Sequence, residues 1–409
     1  MFTTPAINLV QLGSWLGQRG HHDKFRSRVR DIPEFGGELS VACMAEEMET
    51  PGDKQIRALI THAGNPVLST PNGRRLDAAL SRLDFMVAID IYLNETTRHA
   101  NIILPPTFAL EHDHYDLAFH ALAVRNTAKY SAALFPKGDD QRHDWEILTG
   151  LIARLLRHET DNAGARAVGR LTRALGGLLE PARALDALLR IGPHGLRKGR
   201  DGLTLRKLRG QPHGVDLGPL QPCMPAALQT RDRTIQLSPK TMIDDMARVH
   251  DQLRQGLAGA MGADGSLLLI GRRQLRSNNS WCHNSPRLVK GPERCTLLMH
   301  PSDARAHGIV AGDQVSIASR VGSIVAPVEI SDEVMLGVVS LPHGFGHNRE
   351  GTRWRVAEAH AGVSINDITD ETLLDPLAGT VHFSGVPVKV QVHVPPSVVA
   401  QPDAASSPA

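Results

Sequence analysis

The residues best suited to chemistry lie between Leu267 and Ser285, in the stretch LLLIGRRQLRSNNSWCHNS. Four apolar residues, typical of a short buried strand, are followed from Gly271 onward by arginines, asparagines and a histidine. Glycine lets a ligand approach the backbone, arginine presents forked donors to phosphate, and asparagine offers a donor and an acceptor to a heterocycle. The pattern favours a large polar ligand, although a basic loop around a buried Trp281 would contain the same residue types.

The order of these residues, LIGRR-x-LRSNNSW-x-HNS, resembles the first cofactor-contacting segment of the molybdopterin dinucleotide-binding domain. That domain lies at the C-terminus of the formate dehydrogenase, nitrate reductase and DMSO reductase superfamily. The resemblance implies that the stretch binds the pterin dinucleotide. The contacts that it implies here are Gly271, Arg272, Arg276, Asn278, Asn279, Trp281 and Asn284.

A second set of polar residues follows two predicted strands in the first third of the chain. The apolar run ending at Ile60 leads to Gly64-Asn65-Pro66, and the run Phe85 to Ile89 leads to Asp90. With a helix starting near Asn72 and a third strand at 102–104, the order favours a parallel sheet, whose ligands lie beyond the carboxyl ends of the strands. Asn-Pro and Asp at strand ends are also common turn residues, so this position alone leaves both interpretations open.

The segments GNPV and LDFMVAIDIYLNETTRHANIILPP resemble the matching part of the same superfamily. There, the corresponding positions face the guanosine and phosphates of the cofactor. The resemblance implies contacts from Gly64, Asn65, Asp90 and Thr96. Glu111 and Asp113, just after the third strand, fit either the rim of the cofactor site or a solvated turn.

The last third predicts short strands around the opening stretch. A hairpin alternates between Val315 and Val328, and further strands are expected at 337–341 and 386–392. The short strands, one short helix at Pro301 and Gly-Asp turns resemble a double-psi barrel, the fold of the family's dinucleotide-binding domain. His343 is either a satisfied turn histidine or a pterin contact, and Asn366 either caps a helix or contacts the pterin. Lys389 is expected to reach a carbonyl or a phosphate.

The predicted fold class is α/β plus β, a partial parallel α/β (Rossmann-like) domain followed by a double-psi β-barrel dinucleotide-binding domain. The expected boundaries are 1–150 for the α/β domain, 151–255 for a helical segment and connection, and 256–395 for the barrel. Helices are expected from Asp144 to Leu156 and from Ala165 to Leu189, the second divided at Pro181. Residues 396–409, rich in Pro, Ala and Ser, are expected to be a disordered tail.

Composition narrows the possible partners. The net charge of the 409 residues is +2, so no bulk attraction to nucleic acid is implied. Four cysteines without C-x-x-C spacing, and histidines without H-E-x-x-H, predict neither an iron–sulfur cluster nor a metal site. Without a secretory signal or an apolar run of about 20 residues, the expected location is the cytoplasm, with no membrane span.

The resemblance covers most of residues 20 to 395 and implies two-electron redox chemistry at molybdenum or tungsten in a bis(molybdopterin guanine dinucleotide) cofactor. The family's iron–sulfur motif and metal-ligand segment are missing from this sequence, and RDIPEFGGELSVACMAEEMETPG resembles the middle of a longer enzyme. Cys282 occupies a position where the family uses varied side chains, so no catalytic residue is predicted. The expectation is a formate-dehydrogenase-like oxidoreductase part that is inactive alone and needs the missing N-terminal portion or a catalytic, iron–sulfur subunit. The alternatives are a non-catalytic cofactor-binding subunit and an inert gene fragment.

Overall fold

The computed structural model describes residues 4–8, 20–158, 162–174, 180–259 and 265–395. The expected disordered tail at 396–409 lies outside the described residues, as do residues 175–179 of the divided second helix. Two units carry the site discussed below. One is an α/β unit near the N-terminus, and the other is a β-barrel near the C-terminus.

The α/β unit is built on a small parallel sheet. In chain order its elements are β1 (His22–Arg26), β2 (Pro33–Phe35), a 3-10 turn (Val41–Cys43), α1 (Met44–Glu49), β3 (Ala58–His62), α2 (Pro66–Ser69), α3 (Gly73–Leu80), β4 (Phe85–Ile89), a 3-10 turn (Thr97–His99) and β5 (Ile102–Ile103). Strands β3, β4 and β5 pair in parallel in that order, with Ala58 opposite Phe85 and Val87 opposite Ile102. The predicted parallel sheet is therefore confirmed.

Helix α3 shows why this segment folds as the sequence predicts. Asn72 caps it, and the Asn72 side chain accepts a hydrogen bond from the backbone N–H of Arg75 at 3.3 Å. Leu76, Ala79 and Leu80 recur at helical spacing and are buried against the sheet. The short helix α2, which begins at Pro66, is not predicted by the sequence.

The middle of the chain contains helices and short strands. Its elements are β6 (His114–Tyr115), a 3-10 turn (Phe119–Leu122), β7 (Asn126–Ala128), β8 (Tyr130–Ser131), α4 (Asp144–His158), α5 (Ala163–Ala174), α6 (Pro181–Ile191), a 3-10 turn (Leu196–Asp201), α7 (Leu205–Arg209), β9 (Val215–Gly218) and α8 (Lys240–Gly259). Helix α4 and the division at Pro181 match the prediction. The expected connection contributes Leu205 and Leu208 to a core with Tyr130 and Leu189.

The barrel closes with six strands. Its elements are β10 (Leu267–Arg272), α9 (Pro286–Val289), β11 (Leu297–Met299), α10 (Pro301–Ala306), β12 (Gln314–Ala318), β13 (Ser323–Ile330), β14 (Val338–Pro342), 3-10 turns (Ala357–His360 and Ile365–Asp367) and β15 (Val386–Val392). The strand order around the barrel is β10-β14-β11-β13-β12-β15. Strand β10 is parallel to β14 and β11 is parallel to β13, whereas the other pairs are antiparallel.

Alternating residues of the strands fill the barrel, as the period-two pattern predicts. The interior side chains include Val315 and Ile317 from β12 and Val386, Val388 and Val390 from β15. Strand β11 is missing from the sequence-based prediction, because three residues are too short to show a periodicity. The result is a mixed α/β protein with a closed six-stranded barrel, and the double-psi and Rossmann-like details stay predictions.

Ion pairs join the barrel loops to the α/β unit. Arg349 donates to Asp77 at 2.8 Å and to Asp367 at 2.7 Å, and Arg75 donates to Glu371 at 2.9 Å. The side-chain amide of Asn366 donates to the carbonyl of Leu68 at 2.7 Å. These partly or fully buried contacts set the relative position of the two units.

Replacing Leu297 by alanine tests whether the short strand β11 is part of the structural core. Leu297 is fully buried, and truncating such a leucine costs about 2–5 kcal/mol because lost transfer free energy and a residual cavity add together. We expect Leu297→Ala to lower the free energy of unfolding, measured by urea titration, by this amount. Leu336→Ala, at a side chain that is 55% exposed, should change it by less than about 0.5 kcal/mol. Equal effects of the two substitutions would contradict the burial of β11.

Candidate functional site

A cleft of about 630 Å³ lies between the α/β unit and the barrel. One wall follows the carboxyl ends of β3 and β4, where a parallel sheet presents ligand-binding residues. The other wall comes from the loops of the barrel. The cleft brings together these predicted site residues from both units: Gly64, Asn65, Asp90, Gly271, Asn279, Trp281, His343 and Asn366.

Asp90 is an acidic group of the α/β wall, at the end of β4. Its carboxylate accepts hydrogen bonds from the backbone N–H of Tyr92 at 3.0 Å and from the side chain of Asn94 at 3.1 Å. Burial raises the pKa of Asp90 above its usual range, and these hydrogen bonds act in the opposite direction. A carboxylate that is short of water gains from a ligand that brings further N–H or O–H donors.

Asn65 is held by its neighbours through both ends of its amide. Its Nδ2 donates to Glu95 at 2.7 Å, and its Oδ1 accepts from the hydroxyl of Thr96 at 2.7 Å. Thr96 is fully buried, accepts from the backbone N–H of Val67 at 3.1 Å and does not line the cleft. The structure therefore places Thr96 behind Asn65, where it orients the amide.

The barrel wall is formed by two loops in close backbone contact. Asn278 and Asn279 have positive φ angles of 43° and 61°, and Gly344 has a φ of 95°. A Cβ atom at Gly344 would lie 2.3 Å from the carbonyl oxygen of Asn279, so only glycine fits at this position. The side chain of Asn279 accepts a hydrogen bond from Arg273, which also lines the cleft.

His343 and Asn366 complete the barrel side of the cleft. Burial lowers the pKa of His343, and the nearby Arg273 adds to this effect, which favours the neutral imidazole. Asn366 lies within the 3-10 turn Ile365–Asp367, whose N-cap residue is Ser364, so the alternative of a capping asparagine is wrong.

Several predicted residues lie outside the cleft. Arg272 turns into the barrel wall and donates to the carbonyls of Ser340 and Thr296 at 2.5 and 2.8 Å. Arg276 donates to the carbonyl of Lys290 at 3.2 Å. Asn284 accepts from the backbone N–H of Val356 at 2.9 Å. Asn278 is exposed and directly precedes Asn279 in the loop, and Lys389 is exposed on β15 opposite Ala318.

The pair Arg272 and Arg273 shows the limit of reading a loop from its residue types. Arg272 still belongs to β10 and pairs with Pro342, whereas Arg273 follows the end of the strand and reaches the cleft. Glu111 and Asp113 do not line this cleft. Glu111 accepts from the backbone N–H of Phe108 at 2.7 Å, and Asp113 accepts from the Tyr130 hydroxyl and lines a neighbouring cleft.

Aromatic side chains of the cleft are the main residues that sequence reasoning missed. Tyr92 and Trp354 lie with their ring centroids 4.8 Å apart, and Phe108 and Phe383 extend the apolar lining. Tyr92 could have been found from its position just after the end of β4. Trp354 has no comparable local signal, because it reaches the cleft from a long loop after β14.

A buried hydrogen-bond network of Glu95, Trp354, His347 and His283 lies behind both walls. Glu95 Oε1 accepts from the indole N–H of Trp354 at 2.9 Å and from Nδ1 of His347 at 3.1 Å. Nε2 of His347 lies 2.8 Å from Nδ1 of His283. Burial acts to raise the pKa of Glu95, but the hydrogen bonds from His347 and Asn65 outweigh it and lower the pKa below its usual value.

Two further properties of the described residues bear on the site. Across residues 4–8, 20–158, 162–174, 180–259 and 265–395, three or more His, Cys, Asp or Glu side chains nowhere form a group able to hold a metal ion. Within the same ranges, the helices lack the combination of length and apolar character needed to cross a membrane.

Two family models match the regions on either side of the cleft. The model of the molydopterin dinucleotide binding domain matches residues 267–387, which contain five strands of the barrel and the start of β15. The model of the molybdopterin oxidoreductase matches residues 15–154, which contain the parallel sheet. Residues 15–154 and 267–387 therefore form two regions of the molybdopterin oxidoreductase family. The barrel is the dinucleotide-binding domain of that family, whose cofactor is molybdopterin guanine dinucleotide.

Curated relatives agree with this assignment, and a solved structure shares the fold. The chain is 34% identical over 110 residues to the assimilatory nitrate reductase catalytic subunit of Bacillus subtilis, covering 27% of this chain and 15% of that protein. It is 24% identical over 329 residues to the F420-dependent formate dehydrogenase subunit alpha of Methanocaldococcus jannaschii, covering 80% and 42%. The acetylene hydratase structure from Pelobacter acetylenicus shares the fold, with a TM-score of 0.62 at 13% identity over 86% of this chain and 46% of that one. The chain spans less than half the length of each relative.

The buried His283 of the hydrogen-bond network predicts that the stability of the protein depends on pH. Burial, with a smaller effect of His347, lowers the pKa of His283 from 6.5 to about 4. Between these pH values the unfolded chain binds a proton that the folded chain does not, so stability falls as the pH falls through this window. The full difference corresponds to about 3 kcal/mol.

His283→Asn removes the titrating group and keeps a polar atom near the position of Nδ1. We expect urea unfolding of this variant to lose most of the decrease in stability that the parent protein shows between about pH 6.5 and 4. The matched control is His382→Asn, at an exposed histidine. An unchanged slope in His283→Asn would show that His283 is not the group responsible.

Proposed function

We propose that the cleft binds the guanine dinucleotide part of molybdopterin guanine dinucleotide, and that the chain forms part of a formate-dehydrogenase-like molybdenum or tungsten oxidoreductase. The observation that carries this proposal is the composition of the cleft, whose two walls come from the two regions that the family models match. Such a ligand is both charged and aromatic, and both properties have counterparts in the lining.

The donor set of the cleft fits each part of a guanine dinucleotide. The Asp90 carboxylate can accept from the N–H groups of guanine or from a ribose hydroxyl, and the Arg273 guanidinium can donate to phosphate. Asn279 offers both a donor and an acceptor, and Tyr92 and Trp354 provide aromatic surface for a base or a pterin. A volume of about 630 Å³ lies within the usual range of small-molecule sites.

The finer fold assignments support the same function. Two parallel strand pairs within an otherwise antiparallel six-stranded barrel support a double-psi arrangement. The parallel sheet, with its ligand side at the carboxyl ends of β3 and β4, supports a partial Rossmann-like domain.

The chemistry of this family comes from the cofactor, whose pterin dithiolenes hold the metal that exchanges electrons with the substrate. The part assigned to this chain is to bind and orient the dinucleotide. Asp90 and Arg273 fix its polar ends, the aromatic rings exclude water from its faces, and the loop contact at Gly344 keeps Asn279 in place.

Turnover needs more than the groups described so far. The relatives are much longer, and the formate dehydrogenase relative is named as an alpha subunit. We therefore propose that residues outside these 409 complete the metal site, and that a catalytic or iron–sulfur subunit is the partner. The chain alone is expected to bind the cofactor without oxidising formate or reducing an acceptor.

Titration of the purified chain with molybdopterin guanine dinucleotide, followed by tryptophan fluorescence, tests the proposed function. Asp90→Asn removes the negative charge and one acceptor oxygen from the α/β wall, and Asn279→Ala removes an amide from the barrel wall. Losing one charge-assisted or neutral hydrogen bond of this kind weakens binding about tenfold. The matched controls are Asp332→Asn and Gln391→Ala, at exposed positions away from the cleft.

Saturable binding that both cleft variants weaken and both controls preserve is the expected result. Binding that neither Asp90→Asn nor Asn279→Ala affects would place the ligand elsewhere. A folded chain that does not bind the dinucleotide at all would contradict the proposal.

A further inference from the structure

Glu95 occupies an unusual position, because it is fully buried and yet bonded to both units. Its Oε2 accepts from Asn65 Nδ2 at 2.7 Å within the α/β unit. Its Oε1 accepts from Trp354 Nε1 at 2.9 Å and from His347 Nδ1 at 3.1 Å, both in a loop of the barrel region. Asn65 and Trp354 both line the cleft, one from each unit, whereas Glu95 itself does not line it.

The hydrogen-bond chemistry of a carboxylate fixes the orientation of its partners. An ionised carboxylate only accepts, so His347 must carry its proton on Nδ1 and the Asn65 amide must present Nδ2. The Asn65 oxygen then accepts from Thr96 at 2.7 Å, and one amide hydrogen and one lone pair remain for a ligand. The charge of Glu95 thus decides which polar atoms the cleft wall shows.

The hydrogen-bond network continues from His347 to His283, which is 3% exposed. Nδ1 of His283 lies 2.8 Å from Nε2 of His347, and Nε2 of His283 has no hydrogen-bond partner among the described residues. His283 borders a small cavity of about 20 Å³, which Ser277 and Glu293 also line. A cavity of this size holds about one water molecule.

The groups around His347 and His283 determine where the protons of the hydrogen-bond network can lie. Glu95 and His283 face His347, and the indole of Trp354 packs edge-on against it. His343 and Arg294 face His283 together with the backbone of Gly344, and Phe345 packs on its ring. A neutral His347 accepts from His283, which leaves a lone pair on His283 Nε2. A cationic His347 donates to His283, which leaves an N–H on His283 Nε2. Water can satisfy either form.

We propose that Glu95 is a positioning residue that fixes both walls of the cleft through Asn65 and Trp354, and that His347, His283 and one water molecule in the small cavity complete its hydrogen-bond network. Glu95 acts through its partners and does not touch the ligand. The part of this inference that concerns ligand binding rests on the proposed function of the cleft, whereas the part that concerns the hydrogen-bond network does not.

Exchanging the acid and the amide between Glu95 and Asn65 tests the hydrogen-bond network directly. In Glu95→Gln, the new amide faces the amide of Asn65, and if Asn65 turns over to accept, the Thr96 hydroxyl loses its acceptor. In Asn65→Asp, two carboxylates face each other at a former hydrogen-bond distance of 2.7 Å. In the double variant Glu95→Gln with Asn65→Asp, the glutamine donates to the aspartate, which still accepts from Thr96, so donors and acceptors match again.

The expected result is a rescue. Each single variant should lower the thermal midpoint by about 5 °C or more, and the double variant should be more stable than Glu95→Gln alone. Additive losses in the double variant would overturn the proposal. If Asn65→Asp does not fold, the comparison of the double variant with Glu95→Gln decides the same question.

A spectroscopic readout separates positioning from general stability. In protein labelled with 15N-histidine, the Nδ1 proton of His347 should give a slowly exchanging downfield signal that Glu95→Gln shifts and the control Glu333→Gln leaves unchanged. Nuclear Overhauser contact from a long-lived water to the ring protons of His283 is expected as well. Absence of the slowly exchanging signal would overturn the proposed bond from His347 to Glu95, and absence of the water contact would overturn the proposed water at His283.

Binding of molybdopterin guanine dinucleotide completes the test. Glu95→Gln should weaken binding at least about tenfold although Glu95 does not line the cleft, whereas Glu333→Gln should bind as the parent does. Parental affinity in a folded Glu95→Gln would overturn the positioning role. No binding by the parent protein would instead count against the proposed function. The rescue and the histidine signals would still test the hydrogen-bond network of Glu95.

Discussion

A buried carboxylate is stable only when donors surround it, and Glu95 receives its donors from both units of this protein. Removing such a charge from water costs several kcal/mol unless hydrogen bonds and a counter-charge compensate for it. Asn65 contributes from the α/β unit and Trp354 and His347 from the barrel region, so the full set exists only when the two units dock in one arrangement. The ion pairs of Arg349 with Asp77 and Asp367 support the same arrangement nearer the surface.

The cleft follows from this docking. A parallel sheet offers polar groups at the carboxyl ends of its strands, and a barrel offers them in its loops. Neither unit alone encloses a volume of about 630 Å³ with acidic, basic and aromatic groups on facing walls. Burial then tunes those groups, since it raises the pKa of Asp90 and lowers that of His343. The lining suits a ligand that is at once charged and aromatic, which agrees with the dinucleotide cofactor of the family.

The sequence predicts the elements whose signals are local. The apolar run of β4 ends at Asp90, Asn72 caps α3, and the hairpin of β12 and β13 alternates with period two, all as expected. Strand β11 and helix α8 are both missing from the prediction, for different reasons. The strand is too short for a pattern. Helix α8 does carry a local signal that the prediction missed, because Met242, Met246, Val249 and Leu253 recur at helical spacing. The placement of the site residues depends on tertiary contacts that no local pattern encodes. Arg273 rather than Arg272 reaches the cleft, and Thr96 lies behind Asn65.

The central claim is that one dinucleotide contacts both walls at once, and hydrogen–deuterium exchange of the full chain tests it most directly. With molybdopterin guanine dinucleotide present, backbone amides in 89–94 and in 279–284 should become protected together, over the same range of ligand concentration. Helix α8, away from the cleft, should exchange at its original rate. Protection of only one of the two segments, or protection of the two at clearly different concentrations, would contradict a single ligand shared by the α/β unit and the barrel.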